Sequence, residues 1–222
     1  MAPTHPLDLY CERTDETFWS EPLNAVSNIS FILAAALVWR LARRLLPKGD
    51  RQVDVLVALL VAVGVGSSLF HTVANVWSRW ADILPIAATL VWALWLFLRR
   101  AARLSVRGVA LGFSAFLAVT AAFALLVPSR LVNGSQPYCS CVVALVAMGS
   151  FVRRRSRAIA LDFYVAALLF ALSLTFRSID LAVCPAIPIG THFLWHLLNG
   201  AALYAASRAV LREMARPQAA SS

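Results

Sequence analysis

Two of the chain's four histidines, His192 and His196, stand four residues apart, which puts them on one face of a helix. That spacing lets two imidazoles reach one metal ion, as in H-E-x-x-H helices. No glutamate lies between them here, so a catalytic base must come from elsewhere. A third histidine, His71, closes the stretch Ser67-Ser68-Leu69-Phe70-His71, and Ser67 shares its helix face at i−4. Asp82 follows across a short link. Three neutral imidazoles with one open position are the usual donor set of a catalytic zinc. Such an ion lowers the pKa of its bound water to roughly 7. Asp82 is then the natural general base, and Ser67 the hydrogen-bond donor to a developing oxyanion. Plainer roles exist for each residue taken singly. His71 and His192 suit a membrane interface, Asp82 suits a helix N-cap, and Ser67 suits a bond to its own i−4 carbonyl. The same histidines would also serve a structural zinc in a lipid receptor or interaction protein. A haem-binding bundle fits less well, because imidazoles at i and i+4 suit one ion better than two haem faces.

The elements that must position these residues are membrane helices. The chain is 60% hydrophobic and 14% charged, with a mean hydropathy of +0.74. A soluble domain is nearer half apolar and a quarter charged. Several runs reach the ~18 apolar residues of a membrane span. A net charge of +9 raises the question of nucleic acid, but the arginines sit in short clusters between apolar runs, where membrane topology accounts for them. Met1 to Asp8 has neither a basic nor an apolar segment, so no cleaved signal peptide is expected.

Seven spans are expected: Asn24 to Trp39, Val53 to His71, Asp82 to Leu98, Val109 to Val127, Tyr138 to Val152, Ala158 to Phe176, and His192 to Val210. The fifth is short. The division is an acidic N-terminal segment over 1–23, a membrane domain over 24–211, and a polar tail over 212–222. With the N-terminus outside, only Arg13, Arg79, Arg130 and Arg177 of the 20 basic residues fall outside; all the others fall inside. Removing the fifth span would destroy that bias and carry His192 to the opposite side from His71. The expected fold is thus an all-α seven-helix bundle, with its site near the outer surface and its C-terminus inside. Small residues in the fourth span, such as Gly112 and Ser114, suit helix packing.

Cys11, Cys139, Cys141 and Cys184 all fall on the outer side, where disulfides are permitted. Four cysteines allow three pairings, and the spacing does not choose among them. A Cys11–Cys184 bond would pin the N-terminal segment to the bundle; the alternative is buried free thiols. Asp54 and Asp162 suit helix starts, and Arg177 and Asp180, at i and i+3, suit a local ion pair.

Several stretches resemble the alkaline ceramidase family. They are Asp8-Leu9-Tyr10-Cys11-Glu12-Arg13, Glu21-Pro22-Leu23-Asn24-Ala25-Val26-Ser27-Asn28, Gly66-Ser67-Ser68-Leu69-Phe70-His71, Asp82-Ile83-Leu84-Pro85, and His192-Phe193-Leu194-Trp195-His196. The wider superfamily of seven-span hydrolases includes progestin/adiponectin receptors and GPI-lipid remodelling proteins. The resemblance implies a zinc amidase that cleaves ceramide to a sphingoid base and a fatty acid. It implies His71, His192 and His196 as zinc ligands, with Asp82 as base and Ser67 as oxyanion partner. It also implies a calcium site built from Asp8, Tyr10 through its carbonyl, Glu12, Thr14 and Glu21. Acidic oxygen donors suit that ion. Eukaryotic members place the acid directly before the aromatic residue and have an amide further on. Here Leu9 intervenes after Asp8, and Thr14 stands at the amide position. High Ala and Arg with low Lys points to a bacterial inner membrane, with the site near the periplasmic face. The substrate, entering from the bilayer, stays open among ceramide, other acyl amides and glycerolipid esters.

Overall fold

The computed structural model describes residues 2–217. Its regular elements are helices: α1 (Pro22–Ser27), α2 (Ile29–Leu45), α3 (Arg51–Val73), α4 (Val76–Trp95), α5 (Val106–Leu126), α6 (Cys139–Val152), α7 (Arg157–Val183) and α8 (His192–Met214). A π-helical turn, Leu96–Ala101, continues α4, and short 3₁₀ turns flank the α5–α6 loop. Among the described residues the one β feature is an isolated bridge, Pro6 to Asn75.

Five segments are long and apolar enough to cross a membrane: Pro22–Leu45, Arg51–Val73, Val76–Ala101, Val106–Leu126 and Arg157–Val183. This is an integral membrane protein. Two further helices fall short of that measure for different reasons. α6 has 14 residues, and at 1.5 Å per residue it reaches only about two-thirds of a ~30 Å hydrocarbon layer. α8 is long enough, but it carries His192, His196, Asn199, Arg208, Arg212 and Glu213, and it buries most of them.

That polarity explains where α8 sits. It packs between α7 and α2, while α3 packs between α2 and α4, and α6 lies on α7. Small residues on α8 permit close approach; a Cβ on Gly200 would lie 2.8 Å from Ser30 Cβ of α2. α5 stands apart, held chiefly by the 3₁₀ turn Gln136–Tyr138 and by α6, and none of its residues is buried.

The two ends of the bundle differ. One end carries the arginine clusters and a set of ion pairs. Asp162 binds Arg208 and Arg212, Glu213 binds Arg155 and Arg216, and Asp50 binds Arg100 at 2.7 Å. The other end carries the histidines. There the N-terminal segment lies as a strap across the helix ends, joined to the α7–α8 loop by a Cys11–Cys184 disulfide. Cys139 and Cys141 are free.

Several boundaries differ from the sequence expectation. α4 begins at Val76, not near Asp82, because Asn75 and Ser78 form a reciprocal capping box that starts the helix earlier. Asp82 is therefore not a cap; it lies inside the helix. Asp50 caps α3, accepting from the amides of Gln52 and Val53, and Asp54 lies in the first turn as expected, paired with Arg43. Asp162 instead sits beyond the first turn of α7, which Ser156 caps. α8 continues to Met214, past the expected end at 211, and residues 218–222 of the expected tail lie outside the described residues.

Candidate metal centre

α3 delivers His71 from its last turn. The helix stops just beyond, where Ala74 adopts a left-handed conformation with φ 43°. α8 delivers His192 and His196 from its first two turns. The three imidazoles are at most 2% exposed. Their candidate ligand atoms all lie within 4.8 Å of one another, and among the described residues this is the one such cluster of three or more histidine, cysteine or acidic groups. Their ring centroids are 4.7 to 5.2 Å apart.

The surroundings set the ring orientations. His71 Nδ1–H donates to Glu21 Oε2 at 2.6 Å. Ser27 Oγ donates to the Asn24 carbonyl and lies 2.7 Å from His196 Nδ1, so it accepts the Nδ1 proton of that ring. Both contacts leave Nε2 of His71 and His196 as the free lone pair, the usual way a histidine ligand is aimed. His192 Nδ1 is buried with no hydrogen-bond partner among the described residues. Burying a polar nitrogen unpaired is costly. Three neutral imidazoles, one of them orphaned, fit a zinc ion.

The start of α8 is held by a residue to which the sequence reading gave another role. Asp180 does not pair with Arg177. Its Oδ1 accepts from the amides of Thr191 (2.7 Å) and His192 (2.9 Å), and its Oδ2 accepts from the amide of Cys11 (2.9 Å). One carboxylate thus fixes the histidine helix and the strap together. Gly190, at φ 62°, makes room for it; a Cβ there would lie 2.3 Å from Asp180 Oδ1. Arg177 instead donates to the Asn133 carbonyl and to Ser135 Oγ in the α5–α6 loop.

Ser67 and Asp82 meet across the α3–α4 contact. Gly66 is the reason they can: a Cβ there would lie 2.1 Å from the Ala81 carbonyl oxygen. Ser67 is buried, one residue beyond that contact on α3. Asp82 Oδ1 is buried without a partner.

The strap closes the site from above. The Tyr10 ring stacks on His192 at 3.6 Å between centroids. Burial pushes its phenol up to about 12, so the ring stays neutral.

The residues implied for calcium do not converge. Asp8 is exposed and lines a separate surface pocket with Tyr10, Arg79, Arg130 and Arg177. Thr14 is exposed. Glu12 spends both carboxylate oxygens on the amides of Leu23 and Asn24 at the start of α1. Glu21 Oε1 accepts from Arg13 Nε at 2.5 Å, and its Oε2 accepts from His71 and Asn24. Burial works to raise the Glu21 carboxyl, but the hydrogen bonds it accepts from His71, Asn24 and Arg13 hold it below the usual range. As they stand, these donors do not fit a calcium ion.

Sequence reasoning singled out the three histidines, which the structure brings together. It missed Ser27, Asn24, Asp180 and Arg13. A serine and an asparagine in Glu21-Pro22-Leu23-Asn24-Ala25-Val26-Ser27 carry no local signal for a partner far along the chain.

A family model described as Ceramidase matches residues 8–218, nearly the whole described chain. No curated protein matches the chain at a significant level. On the strength of that near-complete match, the chain belongs to the ceramidase family.

Proposed function

We propose that this protein is a zinc-dependent amidohydrolase of the membrane, cleaving ceramide or a related N-acyl lipid to a fatty acid and a long-chain amine. The observation that supports this reading is the buried cluster of His71, His192 and His196, whose candidate ligand atoms lie within 4.8 Å of one another.

A zinc ion held by the three imidazoles supplies Lewis acidity toward water and the amide carbonyl. The chain's own groups do the rest. Asp82 accepts a proton from the attacking water and returns it to the leaving amine nitrogen. Ser67 donates a hydrogen bond to the oxygen that gains charge as the carbonyl carbon becomes tetrahedral. Glu21 and Ser27 hold two of the ligand rings in orientation. The Tyr10 strap and the surrounding helices limit the access of bulk water.

In this reading all seven long helices span the bilayer, α6 and α8 included. The N-terminus and the histidines face outward and the arginine clusters face the cytoplasm of a bacterial cell. The lipid enters sideways. An apolar cavity lined by Leu90, Ala93, Phe116, Cys141, Phe170 and Ala202 takes an acyl chain.

The test is fatty-acid release by purified, detergent-solubilised protein offered ceramides, other acyl amides and esters. Release that stops on stripping the metal and returns with zinc is expected. Zinc-loaded protein that releases nothing from any of them overturns the hydrolase reading in favour of a lipid receptor with a structural ion.

A further inference from the structure

We propose that the cation holding the N-terminal strap against the metal centre is the chain's own Arg13 guanidinium, which makes calcium unnecessary there and makes Arg13 a positioning residue for His71. This rests on the reading of His71 as a zinc ligand.

Arg13 is only 8% exposed, deep for an arginine in a segment that is otherwise mostly surface. Its fork is spent on three partners from three parts of the structure. Nε donates to Glu21 Oε1 at 2.5 Å, Nη1 to the Asp15 carbonyl at 2.9 Å, and Nη2 to the His71 carbonyl at 3.3 Å. Glu21 passes the arrangement on, because its other oxygen receives the His71 Nδ1 proton. The guanidinium therefore grips both ends of one residue: the backbone of His71 directly, and its ring through Glu21.

This is the work a divalent ion would do at such a place, and the two exclude each other. Calcium needs six to eight oxygens at about 2.3–2.6 Å. Every carboxylate oxygen of Glu12 and Glu21 already has an N–H partner. A fixed positive charge against Glu21 also repels a second cation. Arginine suits the position because its charge persists at any physiological pH and its planar fork reaches several acceptors at once.

The experiment uses full-length, zinc-loaded protein in detergent, with two readouts independent of turnover. One is the apparent zinc affinity, by competition with a chromogenic chelator. The other is calorimetric titration of calcium-stripped protein with calcium, paired with melting temperature. Wild-type protein is expected to take up no stoichiometric calcium and to melt at the same temperature with or without it. Arg13→Ala is expected to lose 10- to 100-fold in zinc affinity, the range for removing support behind a metal ligand, and Arg13→Lys to recover part of that loss. A folded Arg13→Ala protein with wild-type zinc affinity overturns the proposal, as does one calcium ion bound per wild-type chain with a raised melting temperature. Should Arg13→Ala fail to fold, Arg13→Lys and the wild-type calcium titration still decide. Protein that binds zinc but releases no fatty acid ends the hydrolase reading and leaves this one standing.

Discussion

In the proposed mechanism Asp82 is the base, and it lies outside the candidate ligand set. The cluster that could grip an ion contains three imidazoles and no acid, while Asp82 keeps one buried oxygen without a partner. Replacing it with asparagine preserves shape and removes the base. Asp82→Asn is expected to retain zinc, measured by metal analysis, while turnover falls by about 10²–10⁴. Undiminished turnover in that variant removes Asp82 from the mechanism. Ser67→Ala is expected to lose about 10²–10³ in kcat, the usual cost of one oxyanion donor. At this scale the sequence was legible where a local rule applied. The i,i+4 spacing exposed His192 and His196, and a shared depth added His71 and Asp82. Ser27 was not legible, because its ring partner His196 lies 169 residues away. Arg13 read as the lone base of an acidic segment, because nothing local shows that it folds inward onto Glu21.

The helices meet at the site through two tight places, each resting on one small residue. At Gly66 the α4 backbone comes so close that a methyl group has nowhere to go. Gly66→Ala is expected to separate α3 from α4, lower stability by about 1–3 kcal/mol or more, and reduce activity through the lost Ser67–Asp82 register. Thermal unfolding and kcat measured together check this. The counterpart at the start of α8 is Gly190, which makes room for Asp180 of α7. Removing a cap costs about 0.5–2 kcal/mol, and Asp180→Ala is expected to exceed the lower end because it also frees the strap. At the arginine-rich end, Asp50 caps α3. Burial acts to raise its carboxyl, but the Arg100 guanidinium and the Gln52 and Val53 amides outweigh that and hold it low. A carboxyl depressed on folding stabilises above its unfolded pKa, near 4. That contribution disappears as pH falls through the lower folded value. The gap in melting temperature between wild type and Asp50→Asn is thus expected to be full at pH 6 and to close toward pH 2. Helix existence was well marked by hydropathy. Helix starts were legible to within a few residues except at α4, where Asn75 with Ser78 begins the helix well before Asp82.

As a whole, the molecule is polarised, with guanidinium–carboxylate pairs at one end and imidazoles under a strap at the other. Even spacing of arginine clusters made this order legible in the sequence, and the Cys11–Cys184 pairing was among those the sequence left open, since the choice among cysteines depends on how the strap returns. The Cys11–Cys184 bond spans 173 residues. Opening it is expected to cost about 2–5 kcal/mol and to loosen Tyr10 from His192, read as a lower melting temperature and faster zinc loss in reductant. The metal pocket itself is drawn from the extremities of the polypeptide: Tyr10 and Glu21 near the beginning, His71 in α3, and His192 and His196 in the final helix. Translation must therefore run from the strap through the first turns of α8 before the pocket can form. If zinc binds there as proposed, a nascent chain lacking α8 offers it only one of the three imidazoles, so metal uptake waits for the insertion of α8.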